Sequence, residues 1–329
     1  MRILLTGGAG FIGSHFCEHF LKSTDWEIVI MDKLTYAAEG LDRLRDINCY
    51  DDKRITFLAY DFANSIPIGI YRELKEVEYI FHLGAETHVD RSIDNAKPFV
   101  ESNVIGTMNM LDFARQLDHL KFFHYFSTDE IFGPATTGID FKEWDRYNSG
   151  NPYAATKAGG EELCLAYANC YKLPLFITHT MNCFGERQHW EKFIPATIRK
   201  ILNKETILIH ADPTKTISGS RYWIHCRNVV DAVLFLLDKA EVREKYNIVG
   251  EKEVSNLDLA KFIAQVLNKP LNYEMINFHA SRPGHDLRYA LCGEKLKEMG
   301  WVLPKTFEQS LEKTINWYFE EGNKRWLGL

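Results

Sequence analysis

The chain has 329 residues, of which 46% are hydrophobic and 26% are charged, and its formal net charge is −6. This length predicts a full hydrophobic core and two domains, and the negative charge argues against a nucleic-acid surface as the main function. No apolar run is long enough to span a membrane, and the first predicted strand begins so early that we expect no signal peptide. Seven cysteines without a C-x-x-C pair favour a reducing compartment, so we expect a cytoplasmic protein.

The N-terminal stretch has the order strand, glycine turn, helix. Residues 2–6 predict a short strand, a helix is predicted to end near Lys22, and residues 27–31 predict a second strand. Between the first strand and the helix lie Gly7, Gly8, Gly10 and Gly13. Glycine permits the tight turn and the close approach of the backbone to a pyrophosphate. Asp32 follows the second strand, where a carboxylate can bond ribose hydroxyls and repels a 2′-phosphate, so the pattern favours NAD over NADP.

The same alternation continues along the chain. Strands are predicted at 55–61, 79–83, 122–126 and 175–180, and helices at 97–117 and 153–171. This pattern predicts the α/β class, with a Rossmann-type doubly wound parallel sheet covered by helices on both faces.

Periodicity weakens after Gly185, which suggests a second, smaller domain. We predict an NAD-binding domain at 1–185 and a substrate-binding domain at 186–329, with 226–250 packing back on the first. The elements predicted after Gly185 are a helix at 228–237, a strand at 246–249, a helix capped by Ser255 that ends near Leu267, and a helix at 307–319.

Polar residues that can carry acid–base chemistry follow the strand at 122–126. Thr128 lies at the end of this strand, where a doubly wound sheet opens its ligand crevice. Tyr153 and Lys157 are four residues apart and share one face of a helix. A phenol beside an ammonium has a lowered pKa, so we expect Tyr153 to take a proton from a substrate hydroxyl while the adjacent carbon gives its hydride to NAD. Thr128 can hold the same hydroxyl, and Lys157 can bond the nicotinamide ribose.

Two further carboxylates, Asp129 and Glu130, exceed what an oxidation needs. Once a sugar is oxidised to a ketone, one carboxylate can remove the acidified neighbouring proton and the other can protonate a departing hydroxyl. The pair therefore predicts loss of water, although the same residues could merely cap the turn that follows.

Three other interpretations remain open on these residues. A 4-epimerase or a nucleotide-sugar decarboxylase shares the fold, the NAD and the Tyr–Lys pair, but needs no adjacent acid and base. A non-catalytic NAD-binding sensor commonly lacks the tyrosine or the lysine, and both are present here. His15 and His19 have the spacing of metal ligands, but a packed helix face explains them better, so we expect no metal.

Several motifs carry a resemblance that covers nearly the whole chain. They are T-G-G-A-G-F-I-G at 6–13, D-K-L-T-Y-A at 32–37, H-L-G-A-E-T-H-V-D-R-S-I at 82–93, S-T-D-E at 127–130, Y-A-A-T-K at 153–157, E-R-Q-H-W-E-K-F-I-P at 186–195, R-Y-W at 221–223 and R-P-G-H-D-L-R-Y at 282–289. On these motifs the chain resembles the extended short-chain dehydrogenase/reductases and, within them, the nucleotide-sugar 4,6-dehydratases of the dTDP-glucose type. The chain departs from that pattern at Phe184, where the family usually has tyrosine, at Tyr222, where aspartate is expected, and in a longer segment at 207–220.

The resemblance implies a role for each matching residue. Tyr153 would start oxidation at sugar carbon 4 with Lys157 and Thr128 assisting, Glu130 would take the proton from carbon 5, and Asp129 would protonate the hydroxyl that leaves carbon 6. The hydride would then return to carbon 6, so NAD would stay bound. The resemblance, together with the motifs above, places these residues at NAD: Gly7, Gly10, Phe11, Ile12, Gly13, Asp32, Lys33, Leu34, Thr35, Asp61, Phe62, Leu83, Ala85, Ser102, Tyr153, Lys157 and Cys183. It places these at the nucleotide sugar: Thr87, Thr128, Asn182, Lys192, Phe193, Arg221, Asn256, Arg282 and His285. The helices at 97–117 and 153–171 would form a homodimer.

Overall fold

The structure is a computed structural model that describes residues 1–277, 287–320 and 322–329. Its strands are β1 (Arg2–Thr6), β2 (Glu27–Asp32), β3 (Ile55–Ala59), β4 (Tyr79–His82), β5 (Phe122–Thr128), β6 (Leu175–Thr180), β7 (Cys183–Phe184), β8 (Ile207–Ala211), β9 (Ser220–Tyr222), β10 (Ile224–His225), β11 (Lys245–Ile248), β12 (Glu253–Ser255) and β13 (Tyr273–Asn277). Its helices are α1 (Phe11–Ser23), α2 (Asp42–Asp46), α3 (Ile68–Leu74), α4 (Val89–Asp94), α5 (Lys97–Val100), α6 (Gly106–Ala114), α7 (Pro152–Tyr171), α8 (Phe193–Leu202), α9 (Cys226–Leu237), α10 (Asn256–Val266), α11 (Glu294–Glu298) and α12 (Phe307–Trp317).

Seven parallel strands of the described chain form one sheet in the order β3-β2-β1-β4-β5-β6-β11. The order reverses beside β1: Thr6 lies opposite Met31 of β2 on one side and His82 of β4 on the other. A reversal of this kind opens a ligand crevice at the carboxyl ends of the strands. The predicted Rossmann-type sheet is therefore confirmed.

Helices cover both faces of this sheet. Successive residues of β1 point to opposite sides, so Leu5 packs with Phe16 of α1 and Val233 of α9, whereas Leu4 packs with Met110 of α6. All five side chains are fully buried. The strand β11 joins the sheet beside β6, although it follows the first six sheet strands by more than 60 residues. No helix in the described ranges is both long enough and apolar enough to cross a membrane.

A second group of elements surrounds another apolar cluster. The strand pairs β8–β13, β9–β12 and β7–β10 lie here with helices α8, α10 and α12. Ser255 caps α10, since its hydroxyl accepts from the backbone N–H of Asp258 over 3.0 Å, as the sequence predicts. Thr306 and Gln309 form a capping box at the start of α12.

Several predicted strand ends differ at the cleft edge of the sheet. The strand predicted at 55–61 ends at Ala59, because the chain turns there and the Asp61 carboxylate accepts from the backbone N–H of Ala63 over 2.9 Å. The strand predicted at 122–126 continues to Thr128, so Thr128 is the last strand residue. The strand predicted at 79–83 ends at His82, and α4 follows it.

The single helix predicted at 97–117 ends at Ala114 and is interrupted by a π-helical turn at Glu101–Ile105. Asn103, on this turn, accepts from the backbone N–H of Glu86 over 2.9 Å and donates to the hydroxyl of Thr156 over 3.0 Å. The turn therefore ties the loop after β4 to α7, which is consistent with the frequent occurrence of π turns at functional sites.

Candidate active site

A cleft of about 500 Å³ lies at the carboxyl ends of the sheet strands. It extends from the glycine turn after β1, past the ends of β4, β5 and β6, to β8, β9 and the start of α10. A cleft at this edge, beside the reversal of strand order, is the expected position for a dinucleotide and a second ligand.

The glycine turn fits a closely bound phosphate group. Gly7 has a φ of +71°, and a Cβ there would lie 2.7 Å from the Cα of Gly84. A Cβ on Gly13 would lie 2.1 Å from the carbonyl oxygen of Gly7. Side chains are therefore excluded at both positions, and the turn brings the N-terminus of α1, with its free N–H groups, to the cleft.

Asp32 and Lys33 lie where the ribose of a dinucleotide is expected. The Asp32 carboxylate accepts from the backbone N–H groups of Ala9 over 3.1 Å and Leu34 over 2.8 Å. The Lys33 ammonium lies 3.6 Å from the carboxylate of Asp61, and 3.7 Å from that of Glu86. Because two carboxylates already neutralise Lys33, the site has little positive charge left for a 2′-phosphate.

Most of the residues predicted at NAD line this cleft. Asp61 and Leu34 do not: Asp61 pairs with Lys33, and Leu34 contributes its backbone N–H to Asp32. The cleft is lined by the remaining fifteen: Gly7, Gly10, Phe11, Ile12, Gly13, Asp32, Lys33, Thr35, Phe62, Leu83, Ala85, Ser102, Tyr153, Lys157 and Cys183.

Thr128, Asp129 and Glu130 converge at the end of β5. The hydroxyl of Thr128 donates to Oδ1 of Asp129 over 2.9 Å. The side-chain amide of Asn151, which caps α7, donates to the Glu130 carboxyl over 3.2 Å. The segment from β5 to α7 thus brings two carboxyl groups and their donors to one wall of the cleft.

Both carboxyl groups hold protons at higher pH than usual. Burial raises the pKa of Asp129 to about 6, and Arg221 and Thr128 oppose this rise. Burial and the charge of Asp129 raise the pKa of Glu130 to about 7, which Asn151 opposes. Between these two pKa values the pair holds one proton, which the higher pKa places on Glu130 in the protein alone. One acid and one base are then present together near neutral pH.

Tyr153 and Lys157 share a face of α7 as predicted, but the expected lowering of the Tyr153 pKa is wrong for the protein alone. Burial raises the pKa of Tyr153, and the charges of Glu130 and Asp129 add to the rise. The Lys157 ammonium donates to the backbone carbonyl of Phe126 over 2.7 Å, and burial lowers its pKa to about 8. The spacing of the pair showed that both side chains reach the cleft, but did not show that the phenol faces carboxylates.

Seven of the residues predicted at the nucleotide sugar also line the cleft: Thr87, Thr128, Asn182, Lys192, Phe193, Arg221 and Asn256. The other two, Arg282 and His285, lie outside the described residues. Arg221 donates to the backbone carbonyls of Ser220 over 2.6 Å and Leu287 over 2.7 Å. These bonds fix a cation in the lining of the cleft.

The geometry matches the result of comparison with known proteins. Residues 3–249 match the model of the NAD dependent epimerase/dehydratase family. The chain belongs to that family.

The chain aligns with its relatives almost from end to end. It is 36% identical to a dTDP-glucose 4,6-dehydratase of Haemophilus influenzae over 337 residues, which covers 97% of this chain and 98% of the relative. Two solved structures have a TM-score of 0.87: the dTDP-glucose 4,6-dehydratase DesIV from Streptomyces venezuelae with NAD and TYD bound, at 34% identity and 98% coverage of each chain, and that of Bacillus anthracis with NAD, at 32% identity and 99% coverage of each chain.

Sequence reasoning missed several residues of this family member that line the cleft: Ala37, Ala38, Arg43, Glu86, His88, Gln188, His189, Glu191, His210, Trp223 and Tyr289. Glu86, His88 and Glu191 are immediate neighbours of predicted residues, so the motifs around them carried a usable signal. His210 comes from β8, in the segment that departs from the family pattern, and no motif marked it.

A buried polar cluster behind α7 was also missed. We call Tyr147, Glu161, His179 and Lys245 the Glu161 cluster. The carboxylate of Glu161 lies 2.9 Å from the Lys245 ammonium and 3.0 Å from Nε2 of His179, and it accepts from the hydroxyl of Tyr147. Burial raises the pKa of Glu161, but His179 and Lys245 outweigh it and lower the value to about 2. The cluster therefore holds a buried anion one helical turn beyond Lys157.

Proposed function

We propose that this protein dehydrates a nucleotide-diphosphate hexose to the 4-keto-6-deoxy sugar, with dTDP-glucose as the preferred substrate. One observation carries the proposal: two carboxyl groups, the buried Asp129 and the half-buried Glu130, share a cleft wall with the phenol of Tyr153. An oxidation alone needs only the phenol and the ammonium, whereas loss of water needs an acid and a base at neighbouring carbons. The dTDP-glucose 4,6-dehydratases to which the chain is similar support the same reaction.

NAD fits the cleft, since the glycine turn excludes side chains and Asp32 lies at the end of β2. When bound, it supplies reversible oxidation, in which carbon 4 of the sugar loses two electrons and a hydrogen that carbon 6 later gains. Lys157 would hold the nicotinamide ribose, and Asp32 would hold the ribose of the adenosine.

The protein's own residues would move the protons. Tyr153 takes the proton of the carbon-4 hydroxyl, which Thr128 helps to hold. Glu130 removes the proton from carbon 5, and Asp129 protonates the carbon-6 hydroxyl as it leaves. Between its pKa values of about 6 and 7 the pair holds one proton, and in the protein alone the higher pKa places it on Glu130, so these roles require the bound ligands to move that proton to Asp129.

The substrate would lie between the end of β5 and the second group of elements. Lys192 and Arg221 line the cleft, and their positive charges oppose the rise in the pKa of Glu130. We assign them to the diphosphate. In this proposal residues 1–185, with 226–250, form the NAD-binding domain, and residues 186–329 form the domain that binds the nucleotide sugar.

We further propose a cytoplasmic homodimer. Val100, Ile105 and Met108 are each 37–42% exposed along the segment 97–114, which runs beside α7. An exposed apolar row of this kind suits a contact with a second copy of the same helices. All seven cysteines are free, which fits a reducing compartment.

The test is mass spectrometry of the products formed from dTDP-, UDP-, GDP- and CDP-hexoses without added NAD. A product lighter by one water from one donor supports the dehydration and identifies the base. An altered sugar of unchanged mass would support a 4-epimerase instead. No change with any donor, even with added NAD, would overturn the proposal.

A further inference from the structure

Two segments that are far apart in the sequence form the wall of the cleft beside Asp32. The loop after β2 contributes Ala37 and Ala38, and the segment between β7 and α8 contributes His189. The two segments meet where the imidazole of His189 lies 3.7 Å from the carboxylate of Glu39. Because Asp32 lies where the ribose of the adenosine is expected, this wall encloses the adenosine half of NAD.

Arg43 joins the two segments from behind the wall. Its Nε donates to the backbone carbonyl of Arg187 over 2.9 Å, and its Nη1 donates to the backbone carbonyl of Ala37 over 2.7 Å. Its Nη2 lies 3.6 Å from the carboxylate of Glu39. The side chain of Arg43 is fully buried, so water does not compete for these bonds. One guanidinium therefore fixes the two segments of the wall relative to each other.

A 3-10 turn at Asn323–Leu327, which we call the Trp326 turn, packs against Arg43 and the helix that carries it. The guanidinium carbon of Arg43 lies 4.9 Å from the ring centre of Trp326, within the range of a cation–π contact. The indole N–H of Trp326 donates to Oδ2 of Asp46 over 2.7 Å, and Arg325 forms an ion pair with the same carboxylate. Asp46 is the last residue of α2, so the Trp326 turn holds this helix at two points.

The helix α2 depends on such contacts for its position. It has five residues, and an isolated helix of that length is unstable in water. Glu39, which precedes it, has a left-handed φ of +49°, a conformation that costs energy in a residue other than glycine. The side chain of Trp326 is 3% exposed and belongs to the apolar cluster of the second group of elements. The Trp326 turn therefore anchors α2, and with it Arg43, to that second group.

We propose that Trp326 is a positioning residue for NAD: through Asp46 and Arg43 it keeps the wall closed on the adenosine half and thereby slows release of the cofactor. The use of slow release rests on the proposed function, because a hydride that is taken from the sugar and later returned to it requires the reduced cofactor to stay bound. The rate of release itself requires only that NAD occupies the cleft, so it is measured without any sugar.

The experiment measures how fast the NAD bound to the purified protein exchanges with isotopically labelled NAD in the medium. Protein is removed from the medium at intervals, and mass spectrometry of the nucleotide freed by denaturation gives the labelled fraction. Trp326→Phe removes the hydrogen bond to Asp46, and Asp46→Asn removes the ion pair with Arg325. Each variant should exchange NAD about tenfold faster than the wild type, since each loses an interaction with a charged group. Trp301→Phe is the matched control, because the indole of Trp301 donates to Asp231 over 2.8 Å away from the cleft, and it should exchange NAD at the wild-type rate.

A double-variant comparison tests whether Trp326 acts through Arg43. Arg43→Met should itself speed the exchange, and adding Trp326→Phe to Arg43→Met should speed it further by less than about twofold. Equal acceleration by Trp326→Phe in both backgrounds would overturn the proposal, as would exchange at the wild-type rate in Trp326→Phe and Asp46→Asn.

Equal acceleration in Trp301→Phe and Trp326→Phe would make a general loss of stability the cause, and would also overturn the proposal. If the exchange rates were as expected but the wild type released no water from any sugar, the proposed dehydration alone would be wrong.

Discussion

The ammonium of Lys157 donates to the backbone carbonyl of Phe126 over 2.7 Å, so the lysine is fixed to the strand that carries Thr128. Its charge also lies 4.3 Å from the ring centre of Tyr125. Among the described residues no carboxylate lies within ion-pair distance of Lys157. A buried ammonium that contacts a carbonyl and a ring but no carboxylate loses its proton more readily than a surface lysine.

This environment predicts a basic limit to the reaction. Burial lowers the pKa of Lys157 to about 8, so the charged form is present below that pH and is lost above it. We expect kcat/KM for water loss to fall about tenfold per pH unit above pH 8. Lys157→Arg keeps its charge at high pH. This variant should therefore be slower than the wild type, but its kcat/KM should not fall above pH 8. If kcat/KM of Lys157→Arg fell at the same pH, the titration of another group would be the cause.

The carboxyl pair predicts which half of the reaction each variant loses. Asp129→Asn and Glu130→Gln should each lower the rate of water loss by about 10² to 10⁴, because each removes one proton-transfer group. The measurement is the mass spectrum of the product, together with exchange of the carbon-5 hydrogen in deuterated water. Glu130→Gln should abolish this exchange. Glu162→Gln, on the exposed side of α7, is the matched control and should change neither the rate of water loss nor the carbon-5 exchange. Carbon-5 exchange that persists in Glu130→Gln would exclude Glu130 as the base.

Glu130 should also weaken the fold at neutral pH. Its pKa is raised from 4.5 to about 7, so the stability that it contributes is full below pH 4.5 and is lost as the pH rises through 7. Glu130→Gln removes the penalty of a buried charge and should therefore raise the free energy of unfolding at pH 8 by about 1–3 kcal/mol. The gain should shrink at pH 5, and urea unfolding at both pH values measures it. A gain of equal size at both pH values would contradict the assigned shift.

The sequence predicted the sheet and the cleft because both depend on local patterns. The glycine turn, the apolar strands and the Tyr–Lys spacing each lie within a few residues, and each was found where predicted. The raised pKa of Tyr153 was not predictable, since it depends on how Glu130 and Asp129 face the phenol across a turn. The Glu161 cluster was missed for the same reason: Tyr147 and Lys245 are 98 residues apart in the chain and meet only in the fold.

The pairing of Lys33 predicts cofactor choice. Lys33 lies between the carboxylates of Asp61 and Glu86, so releasing it from both should let it bind a 2′-phosphate. The nucleotide released by denaturing the purified protein should be NAD for the wild type. In the double variant Asp61→Asn and Glu86→Gln the ratio of NADP to NAD should rise about tenfold, the effect of one charge-assisted hydrogen bond. Glu78→Gln frees Lys121 on the surface and should leave the ratio unchanged. An unchanged ratio in the double variant would exclude Lys33 from the phosphate position.

The Glu161 cluster predicts a large loss of stability when one cation is removed. Lys245 is 3% exposed and lies 2.9 Å from the fully buried carboxylate of Glu161. Lys245→Met leaves that anion, among the residues that the structure describes, with His179 and Tyr147 as partners, so the free energy of unfolding should fall by about 3 kcal/mol. Lys261→Met breaks a surface ion pair, in which the side chain of Lys261 is 55% exposed and that of Asp258 is 65% exposed. This variant should lower the free energy of unfolding by less than about 1 kcal/mol. Urea unfolding measures the free energy of unfolding of both variants. Similar decreases in the two would mean that the buried ion pair stabilises the fold no more than the surface pair does.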